Sequence, residues 1–196
     1  TIKGNTGSKV YNGEEQIVSG YTVDISEPGL YKEGDFTFAG EAEAKGTDVG
    51  TYAMGLQEGQ FTNTNANFDV TFNVTDGELE ITKMSVTVTI KGNTGSKVYN
   101  GEEQIVSGYT VDISAPSLYK ESDFTFAGEA EAKGTAVGTY PMGLSKDQFT
   151  NNNGNFEVTF DVEDGWLEIT KMSLTVSIAG KTDSKVYNGE EQSVSG

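Results

Sequence analysis

Carboxylates, amides and a single indole are the groups in this chain that could do chemistry, because its 196 residues include no His, Cys or Arg. Those absences remove Ser-His and Cys-His nucleophile systems, His/Cys zinc sites and bidentate guanidinium clamps on phosphate. The first candidates left are Glu41 and Glu43, which recur as Glu129 and Glu131. Two apart on a strand, their side chains would share a face roughly 6.5–7 Å apart. An inverting glycosidase holds its acid and base at about that separation. General-acid work also needs burial that raises one carboxyl's pKa, and nothing nearby predicts it. A solvated strand face is expected, with no catalytic residue.

The run Asn63, Asn65, Asn67 and Asp69 could offer oxygen ligands to calcium. It lacks the Asp-x-Asp-x-Asp-Gly spacing of a calcium loop, and Asn and Asp collect in loops simply by closing Asx turns. No metal and no cofactor are expected. Trp166, the only Trp, stands where an earlier copy of the same sequence has Glu78. An exposed ring there could stack on a sugar or dock a neighbouring domain. With Tyr140 and the loop residues Asn151, Asn153 and Asn155 it forms the one constellation a host glycan or matrix protein could use. A Lys–Asn or Lys–Asp isopeptide cross-link would also suit a chain without cysteines.

The elements that must position these groups come from a repeat. A shift of 88 positions lays residues 1–88 on 89–176 without a gap, and 73 of the 88 positions are identical. A third copy starts at Ser177. Each unit is large enough to bury a modest core of its own. The formal charge of −17, from 30 acids against 13 lysines, disfavours nucleic acid and anionic membranes as partners. No apolar run approaches the ~20 residues that span a bilayer, so no membrane insertion is expected.

Within a unit, Val10-Tyr-Asn-Gly-Glu-Glu-Gln16 predicts a hairpin tip, since Asn-Gly tolerates the positive φ of a type I′ turn. Tyr21, Val23 and Ile25 then alternate with polar residues, as do Phe36 and Phe38, and Tyr52, Met54 and Leu56. Pro141 in the second copy predicts an edge strand or bulge. Ser145-Lys-Asp-Gln148 resembles a capping box and predicts one helical turn. The last expected hairpin runs from Phe68 to Ile81 around Asp76-Gly77, with Phe68, Val70, Phe72, Val74, Leu79 and Ile81 inward. The four differences between copies there, at 69, 73, 75 and 78, all fall outward, which fixes the register.

Ile81 to Ile90 is the seam, where alternating strands abut with only Lys83 and Met84 between them. The expected junction residues are Ile81, Lys83, Met84 and Val86, repeated at Ile169, Lys171 and Met172. The fold expected is all-β: two tandem small antiparallel domains joined end to end, each an Ig-like sandwich, with a β-grasp-like sheet as the alternative if the turn at Ser145 lengthens into a helix. Residues 1–83 make the first domain, lacking its first strand; 84–171 make a complete second; 172–196 supply the first strand and hairpin of a truncated third. An unfilled edge is a template for pairing. Strand addition through Ser173–Ile178 to another molecule is therefore expected, giving a homo-oligomer.

The ordered motifs Ser-Lys-Val-Tyr-Asn-Gly, Val-Gly-Thr-Tyr, Asn-Phe-Asp-Val-Thr-Phe and Asp-Gly-Glu-Leu-Glu-Ile-Thr-Lys, seen twice, resemble the MBG/YDG-type tandem repeats of bacterial surface proteins and adhesins. The resemblance covers the whole chain. It implies an extracellular, cell-surface location, a stalk or adhesion role with neighbouring repeats as partners, and no catalytic residues. Near-identity of the copies favours a structural spacer that is not an enzyme. Trp166 in one copy only favours the alternative, a glycan- or protein-binding adhesin module.

Overall fold

The structure, a computed structural model, describes residues 1–195. The first unit holds β1 (Ile2–Gly4), β2 (Thr6–Val10), β3 (Gln16–Ser19), β4 (Tyr21–Val23), β5 (Phe36–Phe38), β6 (Glu43–Gly46), β7 (Gly50–Ala53), β8 (Phe61–Asn63), β9 (Val74–Thr75) and β10 (Glu78–Thr82). The second repeats them as β11 (Met84–Gly92), β12 (Thr94–Val98), β13 (Gln104–Ser107), β14 (Tyr109–Ile113), β15 (Phe124–Phe126), β16 (Glu131–Gly134), β17 (Gly138–Pro141), β18 (Phe149–Asn151), β19 (Phe156–Glu163) and β20 (Trp166–Thr170). Helical backbone among the described residues is limited to four single 3-10 turns, one of them at Lys146–Gln148. Ser145 N–H donates to Gln148 Oε1 there at 2.8 Å, as the sequence predicted. The β-grasp helix therefore has no counterpart.

Two tandem β-sandwich units are thus present, but their sheets are mixed rather than antiparallel. In the second unit one sheet has the order β14-β11-β19 and the other β12-β20-β17, with β13-β16 and β15-β18 as separate pairs. The contact of β11 with β19 is parallel, from Met84 opposite Phe156 to Lys91 opposite Glu163, and so is that of β12 with β20. Both parallel pairs cross from one sheet to the other at the same level, through Gly92-Asn93 and Asp164-Gly165. The two backbones nearly touch there, and a Cβ on Gly92 would lie 2.2 Å from the Gly165 nitrogen.

This crossing replaces the expected Asp-Gly hairpin. Gly165 does not adopt positive φ, and among the described residues none other than glycine does, so a type I′ turn is excluded. Asp164 instead closes the neighbouring loop, accepting from Leu144 N–H at 2.8 Å and Gly143 N–H at 3.0 Å. The Asn12-Gly13 turn is likewise no ladder hairpin, because β2 pairs with β10 and β3 with β6. Gly13 has φ 80°, Asn12 Oδ1 accepts from Glu14 N–H, and the Gln16 amide donates to Val10 O at 2.9 Å.

Side-chain alternation holds along β10, β11, β19 and β20. Phe156, Leu167 and Ile169 are buried while Glu157, Asp161, Glu163 and Trp166 are exposed. β17, with its Pro141, borders only β20 and is an edge strand. Residues 171–195 carry no strand and lie exposed, so the strand and hairpin expected from Met172 onward are not formed. A strand needs a ladder partner, and that segment has none. Its turn nevertheless keeps the repeat's geometry, with Gly189 at φ 83° and Gln192 Nε2 donating to Val186 O.

Candidate functional site

The carboxylate pair is undone by its surroundings. Glu41 lies before β6 rather than on it, and both side chains reach solvent. Lys45 Nζ sits 2.6 Å from Glu43 and 3.8 Å from Glu41, and Lys133 does the same to Glu131 and Glu129. The hydrogen bond that Lys45 donates to Glu43, followed by that carboxylate's charge, raises the Lys45 pKa, and Glu131 does the same for Lys133. Neither glutamate gains the desolvation that general-acid work requires.

The side-chain oxygens of the asparagine run are taken by protein donors, most of them in the loop itself. Asn151 Oδ1 accepts from Asn153 N–H at 2.9 Å and from the Tyr119 hydroxyl at 3.0 Å, and Asn153 Oδ1 accepts from Asn155 N–H at 3.1 Å. Asn151 Nδ2 donates to Asn153 O and Phe156 O. Among the described residues no cluster of acidic side chains could hold a metal ion. All 13 lysines are exposed, whereas an isopeptide bond needs a buried Lys beside Asn or Asp; that cross-link finds no site.

Trp166 is 39 % exposed on β20. It faces Pro141 across the ladder, while Tyr140 faces Leu167. Alternation therefore puts Tyr140 on the opposite side of the sheet, where its ring covers Gly134 and its hydroxyl donates to Ala136 O at 2.9 Å. Asn155 lies at the other end of β19, eight strand residues or roughly 26 Å from Trp166. The structure does not bring these residues into one site.

What it does assemble is the junction between units, which the sequence located only in part. β10 ends at Thr82 and β11 begins at Met84, so Lys83 alone joins them. Ile81 is buried in the first core and Val86 in the second. Ile169 is buried like Ile81, whereas Lys171 and Met172 are exposed. Around the connection, Tyr11 of the first unit sets its ring edge-on to Phe156 of the second, with centroids 5.2 Å apart. Asn155 clamps the two backbones: its Oδ1 accepts from Val49 N–H and its Nδ2 donates to Asp48 Oδ1, both at 2.8 Å. The carbonyl of Asn155 also accepts from Met84 N–H at 3.1 Å. Sequence reasoning missed Tyr11, Asp48 and Val49. The one available signal was that Asp48 is among the few positions the copies do not share, being Ala136 in the second.

A chain of two β-sandwich units joined through one residue, with a hydrogen-bonded seam, is a tandem repeat module. The MBG domain family model matches residues 1–83 and again 86–171, and the chain belongs to that family. MBG is a family of repeat modules rather than of enzymes, and its domains are found in bacterial surface proteins. No curated protein and no solved structure matches the chain. No helix among the described residues is long and apolar enough to cross a membrane.

Proposed function

We propose that this chain is a non-catalytic spacer of a bacterial cell-surface protein, working outside the cell as a stiff stalk that takes part in adhesion. The observation that carries this reading is the seam: a one-residue connection flanked on both sides by strand and clasped by Asn155 and the Tyr11–Phe156 contact. A connection this short leaves few dihedrals free, and each added contact selects one orientation. The strong negative charge keeps such rods soluble and apart. The alternative, a glycan- or matrix-binding module, is left with Trp166 alone.

Spin labels on cysteines replacing the exposed Thr37 and Thr125 would read the seam directly. A single narrow distance distribution is expected, broadened in the double variant Tyr11→Ser, Asn155→Ala. A broad distribution in the unaltered seam would overturn the stalk reading.

A further inference from the structure

The strand by which the chain enters the second unit and the strand by which it leaves lie side by side. The chain arrives from Lys83 at Met84, the first residue of β11, and departs after Thr170, the last of β20. β11 pairs in parallel with β19 over eight residues, from Met84 opposite Phe156 to Lys91 opposite Glu163. β12 continues the pairing with β20 over five more, from Thr94 opposite Trp166 to Val98 opposite Thr170. Entry and exit are therefore at opposite ends of one parallel ladder. The first unit repeats the exit half, with β10 parallel to β2 from Glu78 opposite Thr6 to Thr82 opposite Val10.

Tension that draws Met84 one way and Thr170 the other moves these strands past each other along their length. The interstrand hydrogen bonds of a parallel pair are evenly spaced and run across that movement, so the rungs share the load and fail together. Antiparallel strands would have placed entry and exit at the same end, where tension peels a ladder one rung at a time.

The sheet crossing adds a stop. The two bends are tied to different parts of the unit: Asn93 Nδ2 donates to Ser107 O at 2.8 Å and Asn93 N–H to Gly108 O at 3.0 Å, whereas Asp164 accepts from the Gly143 and Leu144 amides. Trp166 N–H donates to Asn93 O at 3.2 Å between them. A sliding strand would have to drag one anchored bend past the other, where the backbones already leave no room for a Cβ. Both ends of the ladder are closed as well, by Met84 N–H on Asn155 O at 3.1 Å and Tyr99 N–H on Thr170 O at 2.9 Å.

We propose that the second unit is a mechanical clamp, in which β11 and β12 on β19 and β20 bear tension along the chain in shear. This function deepens the spacer reading and rests on it for the direction of the load. With Lys83 alone between Thr82 and Met84, the seam has almost no slack, and pull on one unit reaches the ladder of the next directly.

Single-molecule force spectroscopy on the intact chain tests the clamp, with paired cysteines as handles in a sequence free of native thiols. Lys83→Cys with Lys171→Cys loads the ladder in shear. Lys83→Cys with Gly154→Cys pulls at two points of the same end and peels β11 from β19. All three positions are exposed, and equal unfolding midpoints by Trp166 fluorescence show that both variants keep the fold. Forced unfolding reads the unfolding barrier rather than the equilibrium stability, so a difference between them reports the direction of load. Peeling gains roughly 6–7 Å of extension per pair released, whereas hydrogen bonds in shear fail within about 1 Å of stretch, so the shear pair should unfold at a force at least about threefold higher at the same pulling rate. A smaller ratio, or a lower force in shear, would overturn the clamp. A small ratio with a narrow distance distribution between the labels at 37 and 125 would leave the spacer standing. A large ratio with a broad distribution would remove the spacer and keep the clamp, so the two fail separately.

Discussion

Glycine and tyrosine carry the sharpest consequences at the level of single residues. Gly165 sits where two bent strands cross, and a Cβ on it would lie 2.4 Å from the Asn93 carbonyl oxygen. Both neighbours are backbone and cannot move aside, so Gly165→Ala should destabilise the second unit by about 3 kcal/mol in chemical unfolding followed by Trp166 fluorescence. Gly154→Ala is the control. Nothing lies within 4 Å of that Cβ, the first copy already has Ala66 there, and a change within ~0.5 kcal/mol is expected. Tyr119 gives the pH dependence. Its burial, aided by the Asp123 carboxylate, pushes the phenol up to about 12, while an unfolded tyrosine ionises near 10. A raised folded pKa means that this contribution to stability is complete below about pH 10 and is lost as the pH climbs toward 12. The denaturation midpoint of the second unit should fall over that window, and Tyr119→Phe should flatten the fall. An equal alkaline decline in both proteins would refute this assignment.

Strands and turns show where reading the sequence succeeds and where it slips. The alternation from Phe156 to Ile169 is a local property of the pleat, so the inward and outward sets were legible, and so were the edge position of β17 from Pro141 and the turn at Ser145. The two glycine turns were misread because Asn-Gly and Asp-Gly carry the same local signal whether the following strand returns along its predecessor or bends into another sheet. At Asp164 the choice is made by distant groups, the Gly143 and Leu144 amides and the Gly92 backbone. The Val-Tyr-Asn-Gly-Glu-Glu-Gln turn is the opposite case. It keeps its glycine conformation and its Gln-to-Val bond at 186–192 with no sheet beside it, so its shape is encoded within seven residues.

For the whole molecule, unequal burial in the two units predicts unequal stability. Tyr119 and Phe156 are fully buried where Tyr31 and Phe68 keep some exposure, and β11 pairs with β19 along eight residues where β1 pairs with β9 along two. Unfolding should therefore take two steps. Circular dichroism should lose amplitude first as the first unit opens, and Trp166 fluorescence, which reports only on the second, should change at higher denaturant. Coincident curves would mean that the Tyr11–Phe156 and Asn155 contacts couple the units into one cooperative body.

The repeat and the strand periodicity were readable from the sequence, because each follows from residue type and local spacing; the seam was placed at Lys83 and Met84, of which the structure leaves Lys83 alone between the strands. Only the tertiary structure decided that the paired strands run parallel, that Trp166, Tyr140 and the asparagine loop lie apart, and that Asn155 reaches back to Asp48 and Val49. Those outcomes depend on which backbones meet across long stretches of chain. Sequence spacing carries no record of such meetings when every unit uses nearly the same words.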